Sequence, residues 1–82
     1  MTKYQLINLL EKVDKLDVFL KEGIINQGLM VRYLRYKGLL KRMEEHPNEK
    51  RSLIILDYSI EMDVSRQTIY DDIRSMMKEI WW

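Results

Sequence analysis

The sequence predicts an all-α fold, a small bundle of four helices, on three observations. Its Val, Ile and Leu residues do not alternate with polar ones over any length, as a half-buried strand would require. They recur instead at spacings of three and four, the period of one helix face. One proline and three glycines leave long stretches without a breaker.

The first helix is expected over residues 2–21, within an N-terminal packing or dimerisation segment, 2–22. Leu6, Leu9, Val13, Leu16 and Leu20 form a narrow seam along it, and Gly23 follows as its stop. The second is expected over residues 26–45, with Leu29, Tyr33, Tyr36, Leu40 and Met43 as its apolar stripe and Arg35 and Arg42 flanking that stripe. Gly38 inside it marks a close helix crossing. His46-Pro47-Asn48 breaks the chain, and Asn48 is the expected N-cap of a third helix running to residue 61. After a turn at Met62-Asp63-Val64, a fourth helix follows Ser65 toward the C-terminus.

The 82 residues suffice for one domain, 1–82, with a thin core. There is no cysteine to cross-link it, and His46 is the single strong soft ligand, so neither a disulfide nor a zinc site is expected. Self-association is the remaining route to extra burial. The N-terminal seam therefore has two readings, packing within the chain or a homodimer or higher homo-oligomer. No apolar run is long enough to span a bilayer, and charges interrupt the N-terminus too often for a signal peptide, so a cytoplasmic protein is expected.

The net charge of +1 conceals an uneven distribution. Residues 1–22 are neutral; residues 23–52 carry seven basic side chains against three acidic; residues 53–82 carry three basic against six acidic. Phosphate binding depends on local charge, so the middle of the chain is where it is expected.

Residues 55–74 carry the strongest pattern. Ser59 is small enough for two helices to cross closely. Asp63 falls where the chain must turn left-handed, a conformation aspartate tolerates better than most residues. Val64 plugs the corner, and Ser65 caps the next helix. Ile69, Ile73, Met76 and Ile80 then face the core at helical spacing. The opposite face presents Gln67, Asp71, Arg74 and Lys78, with Ser65, Arg66 and Thr68 at its start and Tyr70 on its shoulder. In a major groove, Gln67 suits adenine, and Arg66 or Arg74 suits guanine.

The run Val64-Ser65-Arg66-Gln67-Thr68-Ile69-Tyr70-Asp71-Asp72-Ile73 resembles the recognition helix of bacterial and phage helix-turn-helix proteins. It is similar to that of DeoR-like regulators and of some phage small terminase subunits. The resemblance covers residues 55–74 and a few beyond. It implies a tri-helical helix-turn-helix core over 26–82 and binding to double-stranded DNA. The implied context is a bacterial, phage or mobile-element regulator or a DNA-packaging recognition subunit. Two departures stand out: the β-hairpin wing of DeoR-like domains is expected to be absent, and Asp71 stands where a basic residue is usual.

The residues expected to contact bases are Ser65, Arg66, Gln67, Thr68, Tyr70 and Arg74. Those expected to contact phosphates are Lys50, Arg51, Lys78, Arg35 and Arg42. The alternative is a protein-interaction adaptor of the same fold, using the acidic residues Asp71, Asp72 and Glu79 and the Trp81-Trp82 pair; otherwise those tryptophans close the core. No enzymatic activity and no cofactor are expected. The chain has no glycine-rich phosphate loop, nucleophile motif or metal-ligand cluster, and Asp71 and Asp72 point about 100° apart on a helix.

Overall fold

Residues 1–80 are described by a computed structural model, and they form five helices: α1 (Lys3–Lys12), α2 (Leu16–Lys21), α3 (Gln27–Glu45), α4 (Arg51–Met62) and α5 (Arg66–Met76). The fold class is all-α, as the apolar spacing predicts. The roles weighed for Trp81 and Trp82 lie outside the described residues.

Three helices start on side-chain caps that satisfy otherwise orphaned backbone N–H groups. The Thr2 hydroxyl accepts from the Gln5 amide, and the Gln5 side chain accepts in return from the Thr2 amide, closing a capping box. The Asn26 side chain accepts from the Leu29 amide at 2.7 Å, and the Ser65 hydroxyl from the Thr68 amide at 3.1 Å.

Three helices also end on one device. Asp14, Gly23 and Asp63 adopt left-handed φ values of 58°, 76° and 56°. In each case the next residue's amide reaches back five positions: Lys15 to Leu10, Ile24 to Phe19, Val64 to Ser59. The left-handed residue's own amide donates to the carbonyl three positions earlier. This is the Schellman pattern, which supplies donors to the last free carbonyls of a helix.

That device corrects the expected helix count. The single helix over 2–21 divides at Asp14 into α1 and α2, so the described residues hold five helices where four are expected. The seam divides with it. Leu9 and Val13 are exposed, whereas Ile7 and Leu10 are buried. A second correction concerns α4, whose N-cap position is Lys50, with no side-chain cap; Asn48 belongs to the preceding turn, in which the Glu49 amide donates to the His46 carbonyl. A third concerns Ile80. The last helix ends at Met76, and Glu79 forms an isolated antiparallel bridge with Thr2. The Lys3 amide donates to the Lys78 carbonyl at 3.0 Å and the Ile80 amide to the Met1 carbonyl at 2.9 Å, tying the two ends of the described chain together.

Helix α3 packs on α4 and α5, which also pack on each other, while α1 rests on α5 and α2. One core results, built from Ile7 and Leu10 of α1, Ile25 of the connection between α2 and α3, Tyr33, Tyr36 and Leu39 of α3, Ile54, Ile55 and Tyr58 of α4, and Ile69 and Met76 of α5. Tyr4 covers it with its ring at 5.5 Å from Tyr33 and edge-on at 5.1 Å from Tyr36. The buried Tyr33 hydroxyl donates to Glu11 at 3.1 Å, and burial raises its pKa well above the usual tyrosine value. Lys37 donates to the same Glu11 oxygen at 2.5 Å and holds that carboxyl below its usual range.

Gly38 is the close crossing. A methyl group there would overlap the Tyr58 hydroxyl and sit 3.1 Å from the ring carbon that bears it. The crossing therefore favours glycine despite its cost of about 1 kcal/mol in helix propensity. Gly38→Ala is expected to lower the midpoint of chemical unfolding, because overpacking of about 1–3 kcal/mol outweighs the propensity gain. Tyr58→Phe in the same chain should recover most of the loss. An alanine variant as stable as the parent would show that α3 and α4 do not meet there.

Candidate nucleic-acid interface

The turn Asp63–Ser65 sets how α5 leaves α4. Ser59, buried on α4, donates its hydroxyl to the Leu56 carbonyl at 2.7 Å, so it presents no unpaired polar atom to the crossing. Val64 packs against the core beneath the turn. Ile69, Asp72, Ile73 and Met76 face inward from α5. Arg66, Gln67, Tyr70 and Arg74 are thereby left on the outside, with Asp71 half-buried among them.

Asp72 is the unusual member of the inward set, with 1% of its surface exposed. A lone carboxylate there would suffer a large desolvation penalty. Arg35 of α3 removes it by donating Nε to one oxygen at 2.6 Å and Nη2 to the other at 2.9 Å. The two-pronged geometry is the strong form of this ion pair, and hydrogen bonding to Asp72 raises the Arg35 pKa further. This corrects the role expected of Arg35, whose guanidinium is engaged inside the fold and not presented to a phosphate. Arg42 is engaged as well, with Glu61 of α4 and with its guanidinium 5.7 Å from the Tyr58 ring centre.

The groove-facing candidates divide in the same way. Ser65 serves as a cap, and its hydroxyl also lies 3.0 Å from that of Thr68, so both are turned into the helix start. Gln67 donates to Asp71 Oδ1 at 3.0 Å, and Arg74 lies 3.5 Å from the same oxygen. Both contacts are solvent-accessible and of the kind a competing ligand displaces at little cost. Arg66 and Tyr70 are exposed, and Arg66 has no ion-pair partner among the described residues. Lys50 and Arg51 are likewise exposed and without a carboxylate partner there, beside the uncapped start of α4.

Two further cations join them: Lys3, which was not among the expected contacts, and Arg32, whose run 32–37 reads in sequence either as a solvated helix flank or as a phosphate-contacting patch. Lys3 and Arg32 line a cleft of about 290 Å³ together with Asp71, Arg74, Ser75 and Lys78. Arg32 stands in the basic run 32–37, one turn before Arg35, and that periodicity is a usable signal. Nothing local marks Lys3, which arrives through backbone pairing with Lys78.

Among the described residues, no group of three or more His, Cys, Asp or Glu is placed to hold a metal, and no helix is long and apolar enough to cross a membrane. Comparison of the chain with protein-family models, with curated proteins and with solved structures finds no match.

The Arg35–Asp72 pair yields a prediction. Arg35→Met strands a buried carboxylate and is expected to destabilise the fold by about 3–5 kcal/mol. Arg35→Met combined with Asp72→Leu should be substantially more stable than Arg35→Met alone, as measured by urea unfolding. Equal instability of the two variants would mean that the pair contributes through something other than compensated charge.

Proposed function

We propose that the chain binds double-stranded DNA through a helix-turn-helix formed by α4, the Asp63–Ser65 turn and α5, with α3 completing a tri-helical core. The observation that carries this reading is the fate of the acidic residues around α5. Asp72 is withdrawn into the core by Arg35, Asp71 is held by Gln67 and Arg74, and Glu79 accepts from the Met1 amino group at 2.8 Å. The outward face of α5 therefore carries Arg66 and Arg74 with the helix's own carboxylates paired or withdrawn, which suits a polyanion better than a basic protein partner. Asp57 on α4 and Asp63 at the turn stay exposed.

In this reading Arg66 and Gln67 meet base edges near the start of α5, and Tyr70 and Arg74 follow one turn later. Ser65 and Thr68 hold the helix start rigid and reach bases only secondarily. Lys50 and Arg51 meet a backbone phosphate, helped by the free amides at the start of α4. Lys78 extends the basic surface beyond α5. A regulator or a DNA-packaging recognition subunit would use such a surface alike, with no catalytic step. Leu9 and Val13, the part of the first seam left exposed, are where a second copy would meet.

The protein-adaptor reading has one observation of its own. Ile60, Tyr70 and Met77 expose apolar surface, with Ile60 at 69%.

Fluorescence anisotropy with a mixed-sequence duplex, repeated across salt concentrations, separates the two readings. Binding that weakens steeply as salt rises is expected. Absence of binding at every salt would overturn the DNA reading in favour of the adaptor. On a selected target site, Arg66→Ala and Gln67→Ala should each cost about 1–3 kcal/mol and relax preference at one position. Asp71→Asn removes a negative charge without lengthening the side chain and should tighten binding to every duplex. Weaker binding by that variant would instead mean that Asp71 accepts from a base.

A further inference from the structure

We infer that the cleft between the start of α1 and the second half of α5 is a phosphate clamp. In it Lys3, Arg32 and Lys78 hold the DNA backbone beside the groove that α5 enters. The inference rests on the reading of α5 as the DNA-binding helix.

The cleft collects charge from parts of the chain far apart in sequence. Lys3 comes from α1, Arg32 from α3, Arg74 from α5 and Lys78 from the segment after it. Four cations thus line one concavity with a single carboxylate, Asp71, which already accepts from Gln67 and lies against Arg74. Convergence of like charges raises the energy of the free protein, and a recessed wall strengthens their combined field. A phosphate relieves that repulsion and meets more than one donor.

The backbone makes the arrangement obligatory. Lys3 donates its amide to the Lys78 carbonyl at 3.0 Å, within the bridge that pairs Thr2 with Glu79. Two lysines are therefore held side by side by main-chain bonds that do not depend on their side chains. Arg32 is turned toward the same place, with Nη1 at 3.5 Å from the Asp71 carbonyl. That long contact occupies one of its five N–H groups and leaves the others for a ligand. Ser75 adds a hydroxyl to the lining. An apolar or basic ligand finds nothing here to satisfy four cations, whereas a phosphodiester supplies the matching charge and acceptors.

The position fits the geometry of duplex recognition. Arg74 belongs both to the outward face of α5 and to the cleft. A strand running past the C-terminal half of α5 would pass from Arg74 into the clamp while Arg66 and Gln67 remain on base edges. Phosphate contacts of this kind position a protein and carry no sequence information.

The test uses the full chain with Lys3→Gln, Arg32→Gln and Lys78→Gln, singly and combined, on one fixed duplex and one scrambled duplex. Each substitution is expected to lower the slope of log affinity against log salt by about 1, equally on both duplexes. Arg32→Lys keeps the charge and should keep the slope. Circular-dichroism melting checks that the triple variant is folded, which the backbone character of the Lys3–Lys78 bond favours. If the triple variant does not fold, the three single variants decide. Parental binding with an unchanged slope in the variants overturns the clamp and leaves the DNA reading standing. No binding by the parent chain at the lowest salt overturns both.

Discussion

Asp72 and Arg35 set the orientation of α5. A carboxylate 1% exposed is tolerable only with both oxygens occupied, and Arg35 alone supplies the pair of donors. Rotating α5 by one residue, about 100°, would carry Asp72 to solvent and strand Arg35 against the core. The pair therefore fixes which side chains of α5 face outward more sharply than its apolar residues do, since Ile and Met accept many packings. Buried ion pairs add little net stability over an apolar replacement; their effect lies in penalising the alternatives. Here the penalised alternative is a different exposed face on the helix proposed to read DNA.

Local chemistry was legible in the sequence where one residue determined one backbone conformation. Ser65 and Gly23 act as cap and stop as their types suggest, and Asp63 turns left-handed ahead of a serine cap. Asp14 uses the same left-handed stop and was not legible. The reason is physical. Leu16 and Leu20 continue the spacing of Leu6, Leu9 and Val13, so periodicity runs straight across the break. Behind Asp63 stands a strong N-cap; behind Asp14 stands Lys15, which makes no side-chain cap. Asn48 failed in the opposite sense. It is a good cap by type, but the turn following His46 delays α4 to Arg51.

Long-range pairing was the other blind spot, and it decides the candidate interface. The separation of Arg35 from Asp72 is 37 residues, and Lys3 and Lys78 lie still further apart. No spacing rule connects such positions. Charge counting along the chain assigned positive potential to residues 23–52 and negative potential to residues 53–82. Folding redistributes both. Arg35 and Arg42 leave the surface inventory by pairing with Asp72 and Glu61, and Lys3 and Arg32 enter it beside α5. Arg66, Gln67, Tyr70 and Arg74 face outward from α5 at the spacing the sequence suggests, whereas Thr68 and Asp71 are half-buried and Lys78 lies past the helix end. The electrostatic character of that face follows only from the pairing.

A chain of net charge +1 generates little long-range attraction for DNA. Binding of the proposed kind would then come from a few cations at contact distance, and their placement matters more than their number. The fold meets that requirement in two ways. Asp72 is bound internally, and Asp71 and Glu79 are paired at the surface, so these three do not repel an approaching strand at full strength. Cations without carboxylate partners gather at two helix starts and along the end of α5: Arg66, the pair Lys50 and Arg51, and the Lys3–Lys78 bridge. Burial of Asp72 serves both ends, since one ion pair aligns α5 and takes the most central negative charge out of reach. The constraint that orients the helix thereby also prepares its charge.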